Sequence, residues 1–506
     1  MTDTRIDVRS PADASIVGSV ASLSATEVAA AVTGIRTEQP GWETLGIRGR
    51  REWLERYRDW LLDHDDEVTG LLQAETSKPL QEARLELAMS LDLINYYCKN
   101  AEAFLADEHP RGHSVITKSK RLTITRHPYP VVGVITPWNV PLLIALADSA
   151  PALLAGAAVV VKPSELTPLA TQRVIDGWQE IGAPGVFVCT PGAGATGAAV
   201  VEEADFIQFT GSTRTGIRIG RRAAERLIPS SLELGGKDAM IVLADADLER
   251  ASNAAVWGGM FNSGQACVSV ERVYVEASVH DEFVRRVTQK AWTVRVGTND
   301  GASKADIGPL ISSTQLAIVT TQVQDAVSKG ATVVTGGERA QPQGGAFFQP
   351  TVLTGVDHTM QVMQEETFGP TLPIMKVANA TEAIRLANDS PYGLSASVWT
   401  RNTERGREVA RRLEAGAVNV NDVLSNLFLF PAPHAGWKKS GTGERLGGAA
   451  GIRKYCREQA IIESRITPHD EPLWFPYTPG KHRLIWRLLR FMIARDANRK
   501  LRKFGR

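Results

Sequence analysis

Apolar positions recur at near-helical spacing from Ala25 to about Leu105. In REWLERYRDWLLDHDDEVTGLLQAET, the residues Trp53, Leu54, Tyr57, Trp60, Leu61 and Val68 gather on one side while charged residues fill the other, which predicts packing helices. The texture changes at HPYPVVGVITPWNVP, where a short β-branched run ends in Pro and Gly signals. The same form returns in LLAGAAVVVKPSELTP, ADFIQFTGS, DAMIVLAD and ERVYVEAS, with helix-like stretches between. Strands alternating with helices predict an α/β fold with largely parallel sheets. A second βα series runs from KGATVVTGG to GLSASVWT with a rhythm of its own, so a second α/β domain is expected, with the boundary near Gly235.

The last segment is of another kind. In KHRLIWRLLRFMIARDANRKLRKFGR, Leu484, Ile485, Leu488, Leu489 and Met492 share a helical face, and Arg487, Arg490, Arg495 and Arg499 supply positive charge around it. Ten basic residues against one acidic residue, Asp496, lie between Lys481 and Arg506. Such a stripe is too short and too charged to span a bilayer, and it suits either a helix packed on protein or one lying on a membrane surface.

Composition narrows the picture. At 506 residues the chain exceeds one ordinary core, so two or three domains are expected. Lys and Arg total 57 against 56 for Asp and Glu, which gives no reason to expect a nucleic-acid partner. The four cysteines, Cys98, Cys189, Cys267 and Cys456, are far apart with no CxxC pair, which argues against a disulfide framework or a structural zinc site and fits a reducing cytoplasm. The N-terminus does not read as a signal peptide, and no apolar run of about twenty residues occurs, so the body is expected to be soluble.

Candidate chemistry starts at FNSGQACVSVERVYV, which sets Cys267 after small, turn-prone residues and before a strand. Taken alone, the thiol fits a buried structural cysteine as well as a nucleophile. Glu233, in LELGGKDAMIV, precedes a Gly235-Gly236 pair that lets backbone approach closely, and it suits a base or an ordinary ion pair. Asn139, in PWNVP, could donate to a developing oxyanion or close an Asx-turn. FTGSTRTG places Gly211 and Gly216 between a strand and a helix, as a phosphate-facing turn would, although it is no complete GxGxxG. In VVVKPSELTP, Lys162 and Glu165 follow another strand and could reach ribose hydroxyls.

In this order, TPWNVP, VVKPSELTP, FTGSTRTG, LELGGKD, GQACVS and EETFGP resemble the aldehyde dehydrogenase superfamily over roughly residues 15 to 465. The resemblance implies a Rossmann-like cofactor domain (1–108 and 127–235), an α/β catalytic domain (236–452) and a β-arm (109–126 and 453–467), followed by a basic extension (468–506). It implies a homodimer or homotetramer joined through the arm. Carried over motif by motif, Cys267 is the nucleophile, Asn139 with the Cys267 backbone N–H the oxyanion hole, and Glu233 the base that activates water to hydrolyse a thioester. Thr136, Pro137, Trp138, Lys162, Ser164, Glu165, Gly211, Ser212, Gly216 and Leu234 would form the cofactor cradle, with Glu366 and Phe368 at its nicotinamide end. NAD is favoured, with NADP open, and no metal is implied.

One stretch departs from the family pattern. Where relatives approximate PFGGxKxSGxGRE, this chain reads PHAGWKKSGTGERLGG, with His434, Trp437 and an inverted Glu444-Arg445 pair. Relatives that take succinate semialdehyde commonly carry an arginine in the helix after the asparagine; none occurs between Asn139 and Lys162. The apolar LLIALADSAPALL and VLSNLFLFPAPH therefore point to an aromatic, terpenoid or aliphatic aldehyde. A succinate-semialdehyde-type enzyme, an enzyme passing the acyl group to coenzyme A, and a non-catalytic cofactor-binding scaffold remain as alternatives, the last because fold does not imply function.

Overall fold

A computed structural model describes residues 5–114, 117–298, 304–340, 344–471 and 473–501. The basic residues beyond Leu501, and residues 115–116 of the expected arm, lie outside it.

The predicted helical stretch folds as four helices, Ala25–Thr44, Gly46–Asp63, Asp65–Thr76 and Leu80–Leu105. Ser24 and Glu27 start the first by capping each other's backbone N–H groups. Leu54, Tyr57, Trp60, Leu61 and Val68 are buried as their spacing predicts, while Trp53 is half-buried under the Arg56 guanidinium, 4.8 Å from the ring centre.

Two sheets form the frame. The first has six strands in the order Gly441–Thr442, Ser230–Glu233, Phe206–Thr210, Val131–Ile135, Ala158–Lys162 and Phe187–Cys189. All its pairings are parallel except that of Gly441–Thr442. Every residue of Val131–Ile135, Ala158–Lys162 and Phe206–Thr210 is buried, as a parallel sheet covered on both faces requires. The second has seven strands in the order Thr332–Thr335, Thr351–Thr354, Thr371–Val377, Val270–Glu276, Asp238–Val242, Ser395–Trp399 and Ala417–Val420.

The chain passes from the first sheet to the second between Glu233 and Asp238. The expected assignment of 236–452 wholly to the second domain needs a correction, because Gly441–Thr442 returns to pair with Leu232 and Glu233.

The chain forms two compact units, Met1–Leu105 with Pro128–Cys456, and Ala106–His127 with Arg457–Arg506. The first holds both sheets. The second holds most of the two-stranded arm, Lys120–Pro128 with Cys456–Ser464, and the C-terminal helices. The arm's second segment starts at Cys456, not at Arg453, because Ile452 and Tyr455 are fully buried in the core of the first unit. Within the second unit, Arg126 bridges Glu108 and Glu458. Helix Pro479–Ile493 is capped by Thr478, and no residue of it is buried. Among the described residues no helix is long and apolar enough to cross a membrane.

Candidate active site

The first sheet supplies the carboxyl ends of its strands. Thr136 to Asn139 follow Val131–Ile135, Ser164 and Glu165 follow Ala158–Lys162, Gly211 and Ser212 follow Phe206–Thr210, and Leu234 follows Ser230–Glu233. This is where open α/β sheets bind ligands. The second sheet faces them with amino ends: Cys267 precedes Val270–Glu276, and Glu366 and Phe368 precede Thr371–Val377.

A cleft of about 1390 Å³ is lined by Thr136, Pro137, Trp138, Lys162, Ser164, Glu165, Gly211 and Ser212. It continues into a cavity of about 870 Å³ lined by Leu234, Gly235, Glu366, Phe368, Asn139 and Cys267. Ser212 caps helix Thr213–Glu225, so that helix's N-terminus opens on the cleft. The Thr136 and Thr210 hydroxyls line it buried and without partners among the described residues, as groups awaiting a polar ligand would be. Lys162 Nζ donates to Glu165 Oε2 at 3.2 Å.

Gly216 differs from its expected role. It lines neither space; it is buried in the first turn of its helix, where a Cβ would meet Leu234 Cδ2 at 2.3 Å, so it lets the helix pack on Leu234. Thr210, Gly194 and Arg218 line the cleft without having been singled out in the sequence; Thr210 lies within FTGSTRTG, where it could have been, while no motif marks Gly194 or Arg218.

The Gly235-Gly236 pair is explained by close approach. A Cβ on Gly235 would lie 2.5 Å from Glu366 Oε2, and one on Gly236 would lie 2.5 Å from the Cys267 carbonyl oxygen. The bare backbone brings the two sheets' loops together, and Gly236 N–H donates to Glu366 Oε1 at 3.0 Å. Phe368, at φ +52°, stands edge-on to Trp138 with ring centres 5.4 Å apart. Glu271 fixes that loop by accepting from the backbone N–H groups of Thr367 and Phe368, each at 2.8 Å.

Three consecutive left-handed residues, Asn262, Ser263 and Gly264, turn the chain into Cys267. Asn262 Nδ2 donates to the Asn139 backbone oxygen at 2.9 Å, Ser263 Oγ to Gly308 O at 2.7 Å, and Ile311 N–H to Gln265 Oε1 at 2.8 Å. Such strain persists because its surroundings over-determine it. Asn139 Nδ2 donates to Gln265 O at 2.9 Å, which orients the amide and leaves its second N–H for another acceptor.

Cys267 is half-buried and borders two spaces, the cavity described above and an apolar cleft of about 490 Å³ on another side. Burial pushes its thiol up to about 12, and the Glu233 carboxylate adds to the rise while Arg445 opposes it. The apolar cleft carries Met89, Val140, Leu143, Phe261, Val268 and Leu427. Its one cation, Lys78, is spent on Glu86 Oε2 at 2.8 Å and the Asn139 carbonyl at 2.9 Å. Glu86 in turn accepts from Leu142 N–H and so caps the buried helix Pro141–Ala155. Among the described residues no group of three or more His, Cys, Asp or Glu is placed to hold a metal ion.

Glu233 is 1% exposed, and neither carboxylate oxygen has a hydrogen-bond partner among the described residues. His434 Nε2 stands 3.4 Å from Oε1 and Arg445 Nη1 3.7 Å from it. Two of the departures from the family pattern, His434 and Arg445, therefore meet at this carboxylate.

A nucleotide-sized cleft at the carboxyl ends of a parallel sheet, leading inward to a thiol, is the layout of a dinucleotide-binding α/β protein. The chain belongs to the aldehyde dehydrogenase family, whose sequence model, described as "Aldehyde dehydrogenase family", matches residues 1–461, and it acts on the aldehyde group with NAD(P). A Mycolicibacterium smegmatis protein named "Putative succinate-semialdehyde dehydrogenase", NADP(+), is 41% identical over 453 residues, 89% of this chain and 87% of that protein. The "4,4'-diapolycopene aldehyde oxidase" of a Methylomonas species is 37% identical over 499 residues, 98% of this chain and 92% of the relative. Among solved structures, a Mycobacterium tuberculosis aldehyde dehydrogenase complexed with NAD+ matches with a TM-score of 0.86 at 36% identity, covering 91% of this chain and 95% of that one.

Proposed function

We propose that the protein oxidises a hydrophobic aldehyde to its carboxylic acid through a thioester on Cys267. The position of Cys267 between the cofactor cavity and an apolar cleft carries this reading, because the two reactants then reach one sulfur from different sides. The thiolate attacks the aldehyde carbon, and the alkoxide formed is held by the free N–H of Asn139 and the Cys267 backbone N–H. Each such donor is worth roughly 3–4 kcal/mol in a preorganised hole. A bound NAD(P)+ supplies the acceptor for the hydride that leaves the carbon. Glu233 then takes a proton from water, whose oxygen attacks the acyl carbon and releases the acid.

In the cradle, we assign Lys162 and Glu165 to the adenosine ribose, with Ser164 and Thr136 beside them, Gly211 and Ser212 to the pyrophosphate, and Pro137, Trp138, Leu234, Glu366 and Phe368 to the nicotinamide end. A carboxylate at Glu165 accepts from ribose hydroxyls and repels a 2′-phosphate, which favours NAD.

An apolar substrate is supported by the lining of the cleft at Cys267 and by the lack of an available cation there. Lys78 is neutralised by Glu86, so the cleft offers no net positive charge to a second carboxylate. Each CH2 buried contributes about 0.8 kcal/mol, so kcat/KM is expected to rise about threefold to fourfold per methylene along the linear aldehydes from butanal to octanal. The name of the Mycolicibacterium smegmatis relative favours a second reading, succinate semialdehyde. A higher kcat/KM for succinate semialdehyde than for octanal would establish that reading and remove the first.

The exposed arm strand Cys456–Ser464, with Ile461 and Ile462 uncovered, suits pairing with a second copy of the chain in a dimer or tetramer. The C-terminal helix suits an anionic lipid surface. Leu484, Ile485, Leu488, Phe491 and Met492 lie on one face of Pro479–Ile493, and Arg483, Arg487 and Arg490 lie on the other. The family model ends at residue 461, but the match to the Methylomonas oxidase takes in 98% of this chain and so reaches into this extension. Basic side chains near anionic lipid contribute about 1 kcal/mol each. The full-length enzyme is expected to sediment with phosphatidylglycerol vesicles at low salt and to be released by high salt. The Leu484→Glu, Leu488→Glu double variant should stay in solution with its activity kept. Equal sedimentation of the two proteins, or of neither, would remove the lipid reading.

A further inference from the structure

Behind Glu233 lies a cluster of polar side chains that thioester chemistry at Cys267 leaves unused. Asp148 comes from the largely apolar helix Pro141–Ala155, and His434 and Arg445 come from two segments joined where His434 N–H donates to Leu446 O at 2.8 Å. Their exposures are 1%, 3% and 6%. Both oxygens of Asp148, both of Glu233, Nε2 of His434 and Nε of Arg445 are buried without a hydrogen-bond partner among the described residues. Unsatisfied groups in such number at one place call for an explanation, since each costs roughly 1–3 kcal/mol.

The separations supply it. His434 Nε2 to Glu233 Oε1 is 3.4 Å, Arg445 Nη1 to the same oxygen 3.7 Å, and Arg445 Nε to Asp148 Oδ1 3.9 Å. These are too long for firm hydrogen bonds. They suit a carboxylate that shifts between direct contact with His434 and contact through water. Lys454 closes the cluster on its far side, donating to Gln208 Oε1 at 2.7 Å and to the Arg445 carbonyl. The groups facing the imidazole are thus one carboxylate able to exchange a proton with it, Glu233, an arginine that stays charged, and beyond that arginine Asp148 and Lys454.

We propose that His434 is a positioning and proton-accepting residue for Glu233, regenerating the base after each hydrolysis. The proposal rests on the reading of Glu233 as the base of thioester hydrolysis. Water gives one proton to Glu233 and its oxygen to the acyl carbon. The C–S bond breaks, and its electron pair returns to Sγ, which takes the remaining acid proton. A thiol raised by burial holds that proton readily. The proton on Glu233 passes to Nε2 of His434 and from there to solvent, leaving Glu233 charged for the next cycle. Arg445, held between Glu233 and Asp148, keeps the carboxylate within reach of the imidazole.

His434→Ala and His434→Gln separate proton acceptance from mere contact, because glutamine keeps a polar group of similar reach but accepts no proton at neutral pH. Both variants are expected to keep the full NADH burst and to lose about tenfold to a hundredfold in steady-state turnover, at or below the lower end for direct general acid–base catalysis because His434 acts through Glu233. Imidazole added to His434→Ala should restore part of the steady-state rate, increasingly as pH rises and its neutral form accumulates. Parental turnover in His434→Gln, or no response to imidazole in a His434→Ala enzyme that keeps its burst, would overturn the proposal. If His434→Ala does not fold, the glutamine variant decides alone. A missing NADH burst in Glu233→Gln, where hydrolysis is slowed, would instead undo the thioester reading.

Discussion

Cys267→Ala is expected to abolish aldehyde oxidation, with a loss on the order of 10⁴-fold or more in kcat, as follows when a covalent nucleophile is removed from a working constellation. The loss should fall on chemistry and spare folding. Among the described residues Cys267 has no side-chain hydrogen bond or ion pair that fastens its loop; Asn262, Ser263 and Gln265 do so. Stopped-flow absorbance of NADH should show neither burst nor turnover in this variant. The parental burst should quicken as pH rises from about 7 toward 10, because the thiol pushed up to about 12 is protonated at rest and a rising pH supplies more thiolate. Oxidation by the alanine variant at even a tenth of the parental rate would require another nucleophile.

The second large effect is at Glu233. Glu233→Gln should retain a burst of about one NADH per active site and then turn over about 10²–10⁴-fold more slowly, because water is no longer deprotonated as it attacks the thioester. The sign of a second effect is fixed by electrostatics. The Glu233 charge raises the thiol, so its removal lowers the thiol, and the pH at which the burst rate climbs should move downward. A slowed burst with an unchanged slow phase would place Glu233 in thiol attack and not in hydrolysis.

Much of this site was legible because its parts are local. The runs before Thr136, Ser164 and Gly211 are short buried parallel strands, and each is followed directly by its cleft residues, so those strand ends could be read from composition, whereas Ser230–Glu233, reading SSLE, carries no such signal. Gly235-Gly236 was legible as a close approach, although only the structure shows that Glu366 and the Cys267 carbonyl are what approach. Gly216 was misleading because a glycine that admits a ligand and one that admits Leu234 look alike in sequence. The strand Gly441–Thr442 was missed because two residues carry no period.

Asp148 and Lys454 were illegible for a different reason. Asp148 sits in a largely apolar helix where, with Ser149, it reads as a polar interruption, and Lys454 reads as one more surface cation. They meet only because the chain returns from the second sheet to the first at Gly441–Thr442, carrying His434 and Arg445 with it. His434 and Arg445 did show themselves in the sequence, as departures from the family pattern. Their common target, Glu233, emerged only from the distances.

Mass spectrometry of the Glu233→Gln enzyme, quenched in acid during its burst with NAD+ and octanal, tests the central claim most directly. A single adduct of the octanal mass less two hydrogens, located on the peptide bearing Cys267 and removed by hydroxylamine, is the predicted result. A burst of NADH with no adduct, or with an adduct on Cys98, Cys189 or Cys456, would contradict it.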